Sequence, residues 1–320
     1  MQKSTISVIP DVRIGWQKRG FSVFGKVSNK SKKDSPQSDK YSKKSPKFLK
    51  DSIINANNQR EDLTKAIKKV NSKIYFTNVI RVLCLISLIY FLKPLNRRIK
   101  NRLKNLNTQK TKFIEGKNES VVNLDFELSE KVSKKYLLMI KRFKQLSDSA
   151  CSWNIKSKTE YQTARYRSYA SKEYDLSKTN VALRTFPGIN SSFQSCYFEN
   201  KSGPDIYLYP CFALISKSKN NFEIIDIRKL VIRWEDVEFV EDGLQPKDAT
   251  VVKYVWEKSN RDGTRDHRYA ENKQIPVMRY GQFKFLKSDE HVGEFMFSNY
   301  ESTSNFFDIF ITVTDDNFRG

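Results

Sequence analysis

Two acidic positions in this 320-residue chain stand in an order that could serve phosphodiester chemistry: Pro204-Asp205, followed by Asp226-Ile-Arg228. A metal-dependent nuclease needs carboxylates that hold a divalent cation, with a lysine beside them. Arg228 stands where that lysine is expected and no upstream glutamate is evident, so the pattern imitates the chemistry without completing it. Lys258-x-Asn260-x-Asp262-Gly263 has the spacing of a calcium loop, but Lys258 fills the first ligand position and Tyr269 the twelfth, where calcium needs a glutamate. A hairpin turning on Asp262-Gly263 accounts for the same residues more simply. The chain has two histidines, His267 and His291, and four cysteines, Cys84, Cys151, Cys196 and Cys211, none in a Cys-x-x-Cys pair. The cysteines are expected to be reduced, partly buried thiols rather than a disulfide framework or a zinc site. No phosphate-binding glycine loop, nucleophile elbow or His-Glu-x-x-His helix occurs. The expectation is therefore a non-enzymatic protein with no catalytic residue, no metal, no cofactor and no small-molecule substrate.

What the chain does carry is charge, and it is unevenly placed. The formal net charge is +22. Residues 1–120 hold 28 Lys and Arg against 8 Asp and Glu, whereas residues 181–320 hold 18 against 21. A cationic front is joined to a nearly neutral body, so an anionic partner is expected at the front. Aromatic residues make up 13% of the chain, which excludes wholesale disorder, and only 11 Gly and 9 Pro exclude a collagen-like repeat.

The elements that must position this charge follow in order. Residues 1–25 read as a short β-hairpin, with Gly15, Gly20 and Gly25 punctuating apolar alternation and a turn near Gln17 to Gly20. Residues 26–60 are dominated by Lys, Ser, Asp and Asn and are expected to be a disordered basic linker. Residues 61–107 form a helical region: Leu63, Ile67, Val70 and Ile74 recur at helical spacing with lysines on the other face, and Leu95, Ile99, Leu103 and Leu106 resume the stripe.

Within that region lies an apolar segment, 74–92. Its nineteen residues would span about 29 Å as a helix, close to the roughly 30 Å of a bilayer's hydrocarbon. Twelve Leu, Ile, Phe and Val contribute at most roughly −4 to −7 kcal/mol to insertion, while Arg81 costs about +2.5 to +3.5 and Asn78 adds more. Five Lys and Arg precede it in residues 54–73 and eight follow in residues 93–112, so the positive-inside rule places both flanks on the cytoplasmic side. A segment that lies in the interface or re-enters satisfies both flanks; one that spans satisfies only one. The expected membrane contacts are Val82, Leu83, Leu85, Ile86, Leu88, Ile89, Phe91 and Leu92, with Arg97 and Arg98 meeting anionic lipid. A buried core helix is the competing reading of Val82 to Leu92. No signal peptide is expected, because more than seventy mostly polar residues precede the apolar run.

Residues 108–180 are expected to be a helical, Tyr- and Lys-rich connector. It holds a helix from about Glu127 to Asp148 and a stretch in which Tyr161, Tyr166, Tyr169 and Tyr174 interleave with Arg165, Arg167 and Lys172. Such a mixture can stack on bases, but more simply packs an amphipathic helix. Residues 181–320 switch to short alternating strands separated by Asn220-Asn221, Asp262-Gly263 and Ser288-Asp289, and close with an amphipathic helix from Tyr300 to Phe310. The fold class is therefore α+β: a hairpin and helices, then a β-rich barrel or sandwich capped by a helix, an arrangement similar to the pleckstrin-homology-like fold.

Two stretches resemble bacterial domains of unknown function. Trp256, Asn260-x-Asp262-Gly263, Asp266-x-Arg268-Tyr269, Asn272-x-Gln274-Ile-Pro276 and Tyr280-Gly281 resemble the signature of one such C-terminal domain, and Tyr207, Pro210, Pro246, Asp248 and Ser298-Asn299 fit its flanks. Tyr269 stands where Phe is usual and His267 where Arg is common. Pro10, Val12, Arg13, Lys18, Gly20, Ser22 and Gly25 resemble a short N-terminal motif of another, with Asp11, Gly15 and Gln17 departing from it. Neither resemblance implies a reaction. The function expected is a bacterial, membrane-associated binding module at the inner membrane, its C-terminal domain cytoplasmic, with anionic lipids and a protein as partners. The alternative is a soluble, cytoplasmic nucleic-acid-binding protein.

Overall fold

The computed structural model describes residues 12–17, 20–26, 41–86, 93–160, 172–243, 245–260 and 262–316. In chain order the elements are β1 (Val12–Gln17), β2 (Gly20–Lys26), β3 (Tyr41–Lys44), α1 (Pro46–Ile86), α2 (Lys93–Glu119), β4 (Val122–Glu127), α3 (Glu130–Ser147), β5 (Ser152–Glu160) and β6 (Lys172–Lys178). There follow β7 (Val181–Arg184), β8 (Ile189–Ser191), β9 (Ser195–Phe198), β10 (Asp205–Leu208), β11 (Phe212–Ser218), β12 (Asn221–Asp226), β13 (Leu230–Val240), β14 (Thr250–Trp256), β15 (Gln274–Lys287), β16 (Glu290–Phe297) and α4 (Tyr300–Asp316). The α+β class stands.

The chain divides into two compact units, the first drawing on residues up to Arg13, Val23–Asp125 and Pro187–Ser191. Its sheet has the order β3-β2-β1-β4-β8, with β4 and β8 parallel and Val122 opposite Ile189. Gly188 at φ 83° brings the chain into β8, and a Cβ there would meet Asn57 Oδ1 at 2.5 Å, so neither the backbone angle nor the space admits another residue. The expected linker over 26–60 is corrected: helix α1 begins at Pro46, at the helix's first position where proline's missing N–H is no loss. Leu49, Ile53 and Ala56 recur at i, i+4 and i+7 and are fully buried. Residues 27–40 lie outside the described residues.

The second unit holds two open sheets, in the orders β12-β11-β10-β9-β7 and β13-β15-β16-β5-β6, with β14 also on β15. Among the described residues no barrel closes, which corrects the barrel half of that expectation: β12 and β7, and β13 and β6, remain edges. Both sheets contribute to one core with α3 and α4, including Phe198 and Leu208 from the first, Phe285 and Phe295 from the second, and Phe143 and Phe306 from the helices. Helix α3 starts at Ser129, whose hydroxyl accepts from Val132 N, with Glu130 in the first turn. At Ser288 (φ 47°) and Asp289 (φ 67°) two left-handed residues make the tight turn that joins β15 to β16. Strand β15 runs unbroken through Gly281, where α4 crosses it: a Cβ there would meet Thr303 Cβ at 2.5 Å.

The helical connector expected over 108–180 is corrected in part: α3 takes up the helix expected from about Glu127 to Asp148, whereas β4, β5 and β6 are strands. Residues 108–119 prolong α2, and β5 and β6 form an antiparallel pair from Trp153 opposite Lys178 to Glu160 opposite Lys172. Tyr161, Tyr166, Tyr169, Arg165 and Arg167 lie outside the described residues, while Tyr174 packs against Phe239 on the sheet.

Candidate functional site

Helices α1 and α2 pack on each other as an antiparallel hairpin. Arg60 Nη1 donates to Lys117 O at 3.0 Å, tying the first half of α1 to the end of α2. From Arg60 to Ile86 the helix rises about 39 Å. Its inner seam repeats every three and four residues: Leu63, Ile67, Val70, Ile74, Thr77, Arg81 and Cys84 are buried or half-buried, and from Lys68 onward every other described residue of the helix is exposed. Helix α2 answers with Asn96, Ile99, Leu103, Leu106, Lys110 and Phe113 at the same spacing.

At Ile74 the chemistry of this pair inverts. Before it, the seam is apolar and the outer face carries Lys65, Lys68, Lys69 and Lys73. After it the α1 side of the seam turns to Thr77, 2% exposed, with Arg81 and Cys84, facing Asn96 and the buried Ile99 of α2, and the apolar residues of α1 face outward: Tyr75 (66% exposed), Phe76 (65%), Val79, Ile80, Val82, Leu83, Leu85 and Ile86 (76%). At 100° per residue these eight side chains centre on the side of α1 away from α2. Water-facing helices show the opposite arrangement. The outer surface of α2 at the same level is cationic, since Arg97, Arg98, Lys100, Arg102 and Lys104 are all exposed.

Val82, Leu83, Leu85 and Ile86 are therefore exposed on one helix, which excludes the core-helix reading for that part of the run; Arg97 and Arg98 are exposed on the other helix. Leu88, Ile89, Phe91 and Leu92 lie outside the described residues. The contact list drawn from sequence missed Tyr75, Phe76, Val79 and Ile80. Continuing the seam's phase past Ile74 would have found them, because it sends Thr77 and Arg81 inward and Tyr75, Phe76, Val79 and Ile80 outward. Among the described residues no helix is long and apolar enough to cross a membrane.

No family model, no curated protein and no solved structure matches the chain.

The acidic positions do not assemble. Asp205 lies opposite Ser216 on β11, and Asp226 lies opposite Phe212, four residues or about 13 Å away along the strand. Asp205 accepts from Asn200 N and Tyr197 OH, and Asp226 is held by the Arg228 guanidinium at 2.6 Å. Among the described residues no group of His, Cys, Asp and Glu could hold a metal ion. The Asp262-Gly263 pair sits in a tight turn, with Gly263 at φ 90° and Asn260 N bonded to Thr264 O at 2.9 Å. Burial pushes the Cys196 thiol well up, and burial with the nearby Asp248 raises that of Cys151, so neither is an activated thiolate.

Residues that carried the C-terminal resemblance work as fasteners. Asp266, 3% exposed, grips Arg268, and Asn272 exchanges two hydrogen bonds with the backbone of Lys258. Asp248 accepts from Ser298 Oγ (2.7 Å) and Ala150 N (2.8 Å), while Asn299 caps α4 by accepting from Ser302 N.

One polar cluster crosses four strands of the larger sheet. Glu294 Oε1 receives Lys158 Nζ at 2.6 Å and Gln282 Nε2 at 2.8 Å, and the same amide nitrogen lies 3.2 Å from Glu235 Oε2. Only 9% of the Glu294 side chain is exposed, so removing its charge strands a largely covered ammonium. Glu294→Gln is expected to lower the unfolding free energy in urea by about 2 kcal/mol, with part recovered on adding Lys158→Met. Equal losses in both backgrounds would show that the two groups are not coupled.

Proposed function

We propose that the protein is a non-enzymatic, membrane-associated binding module that seats the outer face of α1 in the interface of an anionic leaflet. The observation that carries this reading is the end of the hairpin at which α1 turns Thr77 and Arg81 into its seam and its large apolar side chains outside. Each half-exposed apolar side chain contributes roughly 1 kcal/mol on leaving water, so the eight together contribute on the order of 8 kcal/mol. The face from Tyr75 to Ile86 rises about 16 Å, near the depth of a single leaflet. End-on insertion to that depth would also bury Arg97, Arg98, Lys100 and Arg102 at about 2.5–3.5 kcal/mol each, more than the apolar gain. Side-on seating avoids that cost. It lays Lys65, Lys68, Lys69 and Lys73, which continue the same outer face, among lipid headgroups. A hairpin also puts both cationic flanks on one side, as the charge rule asks.

In this reading the protein sits on the bacterial inner membrane and the β-rich unit is the cytoplasmic interaction domain, with a protein as its partner. Two open sheets and a terminal helix form a plan similar to the pleckstrin-homology-like fold, which by itself implies no ligand. The test is flotation of the full-length protein with vesicles containing anionic lipid. Co-flotation that weakens with salt and is lost on neutral vesicles supports the reading; a protein that stays at the bottom of the gradient with both overturns it.

A further inference from the structure

We infer that the outer face of α2 is a docking surface for the phosphate backbone of a duplex nucleic acid, separate from the apolar face of α1. Arg97, Arg98, Lys100, Arg102 and Lys104 are exposed, and none forms an ion pair among the described residues. No Asp or Glu occurs anywhere from Leu63 to Ile114, so this cationic field has no internal counter-charge. Five charges over eight residues amount to one per about 2.4 Å of helix axis, close to the one per roughly 1.7 Å of a nucleic-acid duplex. Three of the five are arginines, whose planar fork matches phosphate oxygens. Asn101 and Asn105 are exposed on the same helix and add amide donors.

Two features choose the occupant. Lipid binding by a cationic helix is strengthened by apolar side chains beside the charges, and between Pro94 and Phe113 α2 exposes no large apolar residue, which leaves it charge alone to offer a leaflet. Single-stranded nucleic acid needs aromatic stacking platforms, and the same stretch exposes no aromatic ring. A duplex, recognised through its backbone alone, needs neither. Because the two faces lie on opposite sides of the hairpin, seating α1 on lipid leaves the α2 cations pointing away from the bilayer. The inference stands on the hairpin's geometry and does not require the membrane reading.

The test uses the full-length protein, a fluorescent 30-base-pair DNA duplex and anisotropy titrations at several salt concentrations, with vesicle flotation in parallel. The wild-type chain is expected to bind with a steep salt slope. The variant Arg97→Gln, Arg98→Gln, Arg102→Gln, Lys104→Gln is expected to lose at least tenfold in affinity near 0.15 M salt, with the slope reduced by about 3 to 4. Arg97→Lys, Arg98→Lys, Arg102→Lys, which keeps every charge, is expected to bind within about threefold of wild type. Leu83→Ser with Ile86→Ser should leave duplex binding unchanged. Absence of wild-type binding, or a fourfold variant with unaltered affinity and slope, overturns the inference. So does a fourfold variant that loses vesicles but keeps the duplex. If circular dichroism shows that variant unfolded, Arg98→Gln alone decides: the slope must fall by about one, and an unchanged slope overturns the assignment.

Discussion

Replacing Leu83 and Ile86 with serine is expected to weaken binding of the full-length protein to anionic vesicles by about 30- to 150-fold. The two side chains are 59% and 76% exposed, so their removal takes nothing from the fold while deleting roughly 2–3 kcal/mol of apolar transfer. Vesicle sedimentation across a lipid titration measures it directly. Unchanged thermal unfolding would show that the loss belongs to the membrane contact. The contrary result is equally readable. If the apolar face is instead covered by a second copy of the chain, the double variant shifts sedimentation velocity from dimer to monomer and leaves vesicle binding as it was.

The second large effect lies in the β-rich unit. Phe198 is fully buried and stands among four other rings: Phe285 at 5.0 Å, Phe143 and Phe295 at 5.3 Å, and Phe306 at 6.2 Å. It joins both sheets to both helices, so no single neighbour can move to refill its space. Phe198→Ala should therefore fall in the upper part of the range for such changes, roughly 3–5 kcal/mol in urea titrations. That is a large share of the roughly 5–15 kcal/mol stability of an ordinary domain. Val231→Ala, at a side chain 48% exposed, should change stability by less than about 0.5 kcal/mol in the same assay. A loss at Phe198 no larger than at Val231 would mean that the aromatic core is not close-packed.

Much of the β-rich unit could be read from short apolar runs bounded by turn residues: β13 alternates over its first half, while β9, β11, β15 and β16 are buried on both faces and read as near-continuous apolar stretches. Turns at Asp262-Gly263 and Ser288-Asp289 were legible for a similar reason, being local backbone chemistry. The start of α1 was hidden, since Leu49, Ile53 and Ala56 are diluted by Lys, Asn and Ser, and composition outweighed spacing. Strands β5 and β6 were hidden because their tyrosines and lysines suit an exposed helix as well as a strand. The apolar run was legible as an anomaly, but not as a face. Hydropathy sums over a segment and discards phase; only pairing with α2 shows that Thr77 and Arg81 turn inward while Tyr75 and Phe76 turn out. Asp205 and Asp226 show the converse: read together as a motif, they stand on β10 and β12 and are held by separate partners.

Strand β8 gives the order of synthesis a physical meaning. The hairpin is complete once Glu119 has been made, but the strand that covers β4 arrives with Ile189–Ser191, some 70 residues later. At roughly 5–20 residues per second that delay lasts several seconds on the ribosome. Throughout it Val122 and Leu124, buried in the finished unit, lie on an uncovered sheet margin while the apolar face of α1 is already formed. The nascent chain thus displays the apolar face of α1 before its first unit can close. Any fragment ending before residue 189 would keep that state permanently, with a strand edge open to aggregation.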